Sequence, residues 1–179
     1  QNHLGCGQIG RDARMTIDTL VGLGKNPNVF GVLVVGLGCE TARPKEVAKA
    51  IAECGKPVEC VVIQEAGGSL NAVSEGVRIA MDLVARASLE QRVPCDVSDL
   101  VVAVECGGSD PTSGVAANPS VGSACDRVVS AGGTVVLSET TELIGAEHIL
   151  AVRSASPEVG AQLCSICRQM EQRALDMGT

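Results

Sequence analysis

The chain has 179 residues, of which 45% are hydrophobic, and a formal net charge of −7. This length and apolar content allow one domain or two small ones with a buried core, and they exclude a disordered chain. The acidic balance, without a basic block, argues against nucleic acid or an acidic membrane as a partner, and no apolar run approaches a membrane span. With Phe30 as the single aromatic residue, a site that stacks a ligand on aromatic rings is not expected.

Apolar β-branched runs alternate with helical patterns along the chain, starting with a helix over about 12–23. Such alternation favours an α/β fold, with a parallel sheet of Rossmann-like or flavodoxin-like βαβ units and helices on both faces. The predicted strands are Val29–Val35, Val58–Ile63, Asp99–Glu105 and Thr134–Ser138, and the predicted helices are Pro44–Cys54, Leu70–Glu90, Asn118 to the Gly132-Gly133 pair, and a last one from Pro157.

The helix from Leu70 has a clear apolar periodicity. Its apolar residues recur every three or four positions and so define one helical face. They are Leu70, Val73, Val77, Ala80, Met81 and Val84. The composition changes after this helix, over Ala87–Asp96, where Pro94 interrupts the pattern. We therefore predict two domains, 1–92 with βαβ order and 93–179 with βαβα order.

Nine cysteines are present, and their number is odd. No signal peptide precedes them, and a chain of this size does not need disulfides for stability. We interpret them as reduced thiols of a cytoplasmic protein, most of them filling the core and a few acting as ligands. An iron–sulfur carrier is an alternative that the cysteine count leaves open.

Reactive side chains follow each predicted strand. In an open parallel sheet, ligands bind beyond the carboxyl ends of the strands, and nearby glycines allow close backbone approach. We therefore expect thiols and carboxylates to converge on a single sheet edge. The residues that follow the strands include Cys39, Glu40, Glu65, Cys106, Ser109, Asp110, Glu139, Glu142 and His148.

Most of these residues also have a plain structural interpretation. Cys39 and Cys106 are as consistent with buried core positions as with ligands, because free cysteine is usually buried. Glu40 and Glu139 suit helix starts, and Asp110 suits a turn before proline.

The two histidines are the remaining candidates for chemistry. A lone histidine such as His148 is more often a surface residue than a functional one. Near the start of the chain, His3 stands three residues before Cys6 among glycines. That spacing suits two ligands of a soft or borderline metal, and it suits a loop equally well.

A nucleotide site is a second class of function to consider. The segment GLGCET (Gly36–Thr41) resembles the beginning of a G-x-G-x-x-G motif, with Thr41 in place of the third glycine, and Glu65 ends the next strand, where a ribose-binding acid would stand. A non-catalytic nucleotide-binding βαβ module therefore stays an alternative.

Several long, ordered segments identify a resemblance to the altronate and galactarate dehydratases. The resemblance covers nearly the whole chain and implies the middle portion of such an enzyme: a second domain over 1–92, then the start of the C-terminal, catalytic-type domain over 93–179. The matching segments are HLGCG (His3–Gly7), NPNVFGVLVVGLGCE (Asn26–Glu40), ECGGSDPTSGVAANPSVG (Glu105–Gly122) and GGTVVLSETTELIGAEHIL (Gly132–Leu150).

The resemblance implies loss of water from a sugar acid, assisted by Fe²⁺ or another divalent metal such as Mn²⁺. A base must remove the proton beside a carboxylate, and an acid must protonate the departing hydroxyl. Under this hypothesis the chain binds a sugar acid and forms a homo-oligomer. The metal candidates are His3, Cys6, Cys39 and Cys106, the catalytic candidates are Glu139, Glu142 and His148, and the substrate-binding candidates are Ser109, Asp110, Thr112 and Asn118.

A related branch of the family removes sulfite from sulfolactate. Its counterparts of GLGCE and CGGSD are expected to differ, which places this chain nearer the dehydratases. A sulfolactate sulfo-lyase subunit nevertheless remains an alternative function.

Overall fold

The computed structural model describes residues 5–108 and 110–178, and the chain divides into two compact units, 1–92 and 93–179. The first unit has helix α1, strand β1, helix α2, strand β2 and helix α3. Their bounds are Gly10–Lys25, Val32–Gly36, Pro44–Ala52, Val58–Val62 and Ser69–Ala87.

In the first unit, β1 and β2 form a two-stranded parallel sheet, with Val32 opposite Val58 and Gly36 opposite Val62. Pro44 begins α2 in the position where its missing N–H costs nothing. A positive φ at Gly55 allows the turn back into β2. Helix α2 and strand β2 are close to those that the sequence predicts.

Helices lie on both faces of this sheet. Adjacent strand residues point to opposite faces, and Val61 packs with Ala72, Ile79 and Leu83 on the α3 side. Gly36 points to the other face, where a β-carbon would collide with Pro44 of α2. The two helices therefore bury the two sides of β1 and β2.

The helix α3 buries a different face from the one that the periodicity marks. Its buried residues are Ala72, Gly76, Ile79 and Leu83. The large residues Leu70, Val73, Val77, Met81 and Val84 are all exposed. Small residues at 72 and 76 let the helix approach the strands closely, which explains why this face packs on the sheet.

The second unit has strand β3, helix α4, strand β4 and helices α5 and α6, and its strands form another two-stranded parallel sheet. Val101 lies opposite Thr134 and Val104 opposite Leu137. The element bounds are Val101–Val104, Asn118–Ser130, Thr134–Leu137, Glu147–Val152 and Pro157–Asp176.

The four predicted strands are thus present and parallel, but in the described residues they form two separate two-stranded sheets. The single edge expected to carry all the reactive loops is replaced by one edge in each unit. The mixed α/β class is as predicted.

Helix α4 begins at Asn118, as the sequence predicts, but Asn118 does not cap it. A π-helical turn over Ser113–Ala117 runs directly into α4, and the N–H of Asn118 donates to the carbonyl of Ser113. Asn118 has helical dihedral angles of −62° and −44°, so its side chain is not in a capping position. The N–H groups of Ala116, Ala117 and Asn118 donate to backbone carbonyls of this turn and are therefore not available to a ligand.

The cysteines are mostly not core residues, contrary to the interpretation from composition. All nine are free, and only Cys167 is buried. Among the residues that the structure describes, none of the helices combines the length and apolar character needed to cross a membrane.

Candidate functional site

Three candidate residues meet at the carboxyl edge of the second sheet. The Sγ atom of Cys106 and one carboxylate oxygen each of Glu139 and Glu142 all lie within 4.8 Å of one another. Cys106 follows β3, Glu139 follows β4, and Glu142 lies in a 3₁₀ turn over Thr140–Leu143. The parallel register of β3 and β4 brings the two loops side by side.

Hydrogen bonds between the two loops fix this arrangement. The backbone N–H of Cys106 donates to Oε2 of Glu139 at 2.7 Å, and the hydroxyl of Ser138 donates to the carbonyl of Val104 at 2.9 Å. Glu139 is half-buried, whereas Cys106 and Glu142 are exposed. One oxygen of Glu139 is thus held by the backbone, and the Glu142 carboxylate makes no hydrogen bond or ion pair with the described residues.

Asp110 and Thr112 form a tight local turn. Oδ1 of Asp110 accepts hydrogen bonds from the N–H of Thr112 at 2.7 Å and from its hydroxyl at 2.6 Å. Both hydrogen bonds lower the pKa of Asp110, and the one from the Thr112 hydroxyl has the larger effect. They do so because they favour the ionised carboxylate. The geometry is that of the turn residue considered from the sequence, and a substrate-binding role for the pair stays a prediction.

The other candidates of the second unit are not drawn into the cluster. Asn118 is exposed at the start of α4, and His148 is exposed on α5. Within the described part of the chain, the group of potential metal ligands contains only Cys106, Glu139 and Glu142. Ser109 lies outside the described residues, and so does His3 of the first unit.

In the first unit, the thiol of Cys6 contacts the backbone of Cys39. Cys6 lies in a 3₁₀ turn over Gly5–Gly7, and its Sγ donates to the carbonyl of Cys39 at 3.4 Å. Both cysteines are exposed. Residues separated by 33 positions in sequence are therefore brought into contact, and a shared ligand role for their thiols stays a prediction.

In the glycine-rich turn after β1, the backbone N–H groups bind the carboxylate of Glu40. The carboxylate of Glu40 accepts hydrogen bonds from the N–H groups of Leu37 and Gly38, each at 2.6 Å. Gly38 has a φ of +126°, which favours glycine. Partial burial raises the pKa of Glu40, but these backbone N–H groups together outweigh it and lower the pKa.

These bonds argue against the nucleotide alternative. The amides that would bind a phosphate already bind Glu40. Glu65, at the position of a ribose-binding acid, pairs instead with Nζ of Lys45 at 2.7 Å. Lys45 is not among the residues that the sequence marks as candidates, although its place in the first turn of α2 puts it close to the end of the adjacent strand.

Replacing Glu40 with glutamine should make stability less dependent on pH. Because the folded-state pKa is below the usual 4.5, the carboxylate stabilises the fold at pH values above 4.5, and this contribution is lost as pH falls towards the lower folded value. We expect Glu40→Gln to cost about 1 kcal/mol at pH 7 and less at pH 3, measured by urea unfolding. Glu46→Gln, an exposed control in the same unit, should have little effect at either pH; an equal loss for Glu40→Gln at both would contradict the prediction.

A cavity of about 570 Å³ in the first unit does not suit a polyhydroxylated acid. It lies between α1, β1 and α2, and Glu40 is the one charged residue among its described lining residues. Hydroxyl groups bound there would lack hydrogen-bond partners. The other lining residues include Leu20, Leu23, Val34, Val47 and Ile51.

Comparisons with known proteins agree with the resemblance seen in the sequence. Residues 1–88 match the family described as D-galactarate dehydratase/altronate hydrolase, second domain, and residues 97–179 match D-galactarate/altronate dehydratase, C-terminal.

Individual relatives belong to both branches of the family. The chain is 44% identical over 152 residues to a (2R)-sulfolactate sulfo-lyase subunit beta of Chromohalobacter salexigens. The matched segment covers 85% of this chain and 38% of that subunit. It is 32% identical over 172 residues to an altronate dehydratase of Bacillus subtilis (96% and 34%). It is 40% identical over 158 residues to a galactarate dehydratase (L-threo-forming) of Escherichia coli (84% and 30%).

The sequence predicts that the chain is nearer the dehydratases than the sulfo-lyase branch. These identities do not support that prediction. The chain spans 30–38% of the length of these three relatives. The two matched domains nevertheless account for nearly all of it. The chain belongs to the D-galactarate/altronate dehydratase family.

Proposed function

We propose that this chain forms part of a carbon–oxygen hydro-lyase that removes water from a sugar acid such as altronate or galactarate and gives a 2-keto-3-deoxy acid. The relatives named as dehydratases support the reaction class. The observation that assigns the reaction to particular residues is that Cys106, Glu139 and Glu142 lie close together.

The reaction requires a base that is free to approach the substrate. Glu142 meets this need, because its carboxylate is exposed and makes no hydrogen bond with the described residues. We assign it the removal of the proton beside the substrate carboxylate. His148 remains a catalytic candidate, and with Glu142 as the base it would be the acid for the departing hydroxyl. The proposed contacts for the substrate hydroxyl groups or carboxylate are still Ser109, Asp110, Thr112 and Asn118.

The donor set of the cluster fits a divalent metal. One thiolate and carboxylate oxygens within 4.8 Å suit a borderline ion such as Fe²⁺, and the oxygens also suit Mn²⁺. We propose that Cys106 and Glu139 hold the ion and leave Glu142 as the base. When bound, the ion supplies positive charge that stabilises the negative charge developing on the substrate. Cys6 and Cys39 are a further proposed ligand pair in the first unit.

The metal assignment predicts a binding defect that does not depend on activity. Cys106→Ala should weaken Fe²⁺ binding at least 10-fold under anaerobic conditions, because the thiolate is one of the proposed protein ligands and suits this borderline ion. Isothermal titration calorimetry measures the effect. Cys95→Ala is the matched control, since Cys95 is exposed in the same unit and outside the cluster. Equal affinity in the Cys106 variant and the wild type would overturn the assignment.

A sulfolactate sulfo-lyase is the second candidate, favoured by the 44% identity to a subunit of that enzyme. The native full-length protein, supplied anaerobically with Fe²⁺ or Mn²⁺, should be assayed with altronate, galactarate and sulfolactate. Formation of a 2-keto-3-deoxy acid supports the hydro-lyase, and sulfite release supports the second candidate. Absence of turnover with all three substrates would contradict both.

We also propose a cytoplasmic location, because all nine cysteines are free thiols and such thiols persist in a reducing compartment. The βαβ order of each unit supports the finer fold proposal, in which each is a Rossmann-like or flavodoxin-like building block.

A further inference from the structure

Side chains join the two loops at the carboxyl edge of the second sheet, one after β3 and one after β4. The register of these strands makes the N–H of Cys106 the next donor of the parallel ladder, with the carbonyl of Ser138 as its backbone acceptor. That N–H donates instead to Oε2 of Glu139 at 2.7 Å. A carboxylate thus replaces a backbone carbonyl at the point where the candidate metal ligands meet.

Ser138 makes the last contact between the strands before this replacement. Its hydroxyl donates to the carbonyl of Val104 at 2.9 Å, and its own N–H donates to the same oxygen at 3.3 Å. The N–H bond is long, because backbone hydrogen bonds usually measure ~2.9–3.0 Å. The hydroxyl therefore makes the shorter of the two bonds that hold the end of β4 against the end of β3.

This contact fixes the position of both acids of the cluster. Glu139 is the next residue along the chain, and the N–H of Glu142 donates to the carbonyl of Glu139 at 3.2 Å. On the other strand, a single residue separates Val104 from Cys106. The hydrogen bond from Ser138 and the one from Cys106 thus close a ring between the two loops. The ring keeps the thiol and the two carboxylates of the cluster within 4.8 Å of one another.

The first unit shows that an acid beside a glycine turn does not by itself link two loops in this way. There, the carboxylate of Glu40 accepts hydrogen bonds from Leu37 and Gly38, which belong to its own loop. In the second unit, the carboxylate belongs to the loop after β4 and the donor to the loop after β3. A carboxylate that crosses between loops thus stands beside the candidate metal ligands.

We infer that Ser138 is a positioning residue for the divalent metal, one that orients Glu139 and Cys106 as ligands without touching the ion. The inference rests on the metal assignment proposed above. Hydrogen bonds that hold a ligand in one orientation contribute to metal affinity. Because the Ser138 hydroxyl donates to Val104, it acts on the ligands through the ring between the loops.

Removing the hydroxyl tests this role directly. Ser138→Ala should weaken Fe²⁺ binding about 5-fold in the native full-length protein, because one neutral hydrogen bond is lost. Isothermal titration calorimetry under anaerobic conditions measures the affinity. Ser138→Thr keeps the hydroxyl and should bind Fe²⁺ as tightly as the wild type.

Ser120→Ala is the matched control. The Ser120 hydroxyl donates to the carbonyl of Ala116 at 2.7 Å, so the variant loses a bond of the same kind in the same unit. That bond lies between the π turn and α4 and does not join the two loops. Its loss should leave the Fe²⁺ affinity at the wild-type value.

Hydrogen–deuterium exchange of the Cys106 N–H tests the geometry without any metal. Mass spectrometry at single-amide resolution should show exchange about 5-fold faster in Ser138→Ala than in the wild type, because the bond to Glu139 opens more often. Ser138→Thr and Ser120→Ala should exchange at the wild-type rate. An unchanged rate in Ser138→Ala would show that the hydroxyl does not hold the loops and would overturn the inference.

The titrations separate a failure of this inference from a failure of the metal assignment. Wild-type affinity in Ser138→Ala, together with weaker binding in Cys106→Ala, would overturn the positioning role and leave the metal assignment standing. Equal losses in Ser138→Ala and Ser138→Thr would also overturn it, because the hydroxyl would not be the cause. A wild-type protein that binds no Fe²⁺ would overturn the metal assignment and the positioning role together.

Discussion

Replacing Glu142 with glutamine should lower kcat at least 100-fold in the native full-length protein. Glutamine has nearly the same size but cannot accept the proton that the elimination must remove, and a positioned general base contributes roughly 10²–10⁴ to the rate. KM should change little, because the metal ligands proposed here are Cys106 and Glu139. Steady-state kinetics with whichever sugar acid is turned over provides the measurement.

The control for this experiment is Glu171→Gln on α6, an exposed glutamate of the same unit that lies outside the cluster. Its turnover should equal that of the wild type. If Glu142→Gln keeps more than about one third of the wild-type kcat, Glu142 is not the base. If Mn²⁺ affinity falls together with kcat, Glu142 is a ligand, and the assignment of roles within the cluster must be exchanged.

The sequence predicts the elements well where local chemistry decides them. Pro44 at the start of α2 and Ser156 before α6 have the expected roles, since the Ser156 hydroxyl accepts a hydrogen bond from the N–H of Val159. The strands are shorter than predicted because flanking apolar residues such as Val29 continue the run without pairing in the sheet.

The periodicity of α3 does not identify which of its faces packs on the sheet, and the reason is physical. Periodicity shows that a helix is apolar on a face, but α3 is apolar over two adjacent faces, and only one of them packs on its own sheet. The packed face is marked by the small residues Ala72 and Gly76, which a count of large apolar residues does not detect. Close approach to the strands, rather than side-chain size, decides which face is buried.

The candidate site was predictable to the extent that it depends on strand ends. Cys106 and Glu139 meet because parallel strands end at the same edge. The turn at Asp110 was predictable, but the hydrogen bonding of Asn118 was not, since the π turn over Ser113–Ala117 has no established sequence signature. The contact between the Cys6 thiol and the Cys39 carbonyl was not predictable either, because it depends on tertiary structure.

The stability of the first unit should depend strongly on Ile51. This side chain is 2% exposed and lies against Gly24, where α1 and α2 approach closely. We expect Ile51→Ala to lower the free energy of unfolding by about 3 kcal/mol, because the lost apolar contacts add to the cost of the space left behind, and Ile51→Val by about 1 kcal/mol. Urea denaturation of the isolated chain measures both.

The exposed residue Leu89 provides the comparison. Leu89→Ala removes a similar volume from a side chain that is 77% exposed, so its cost should stay within about 0.5 kcal/mol. The contrast separates burial from the loss of an apolar side chain as such. If Ile51→Ala unfolds at the same urea concentration as Leu89→Ala, the contact between α1 and α2 does not stabilise the unit, and the packing described around Gly24 is wrong.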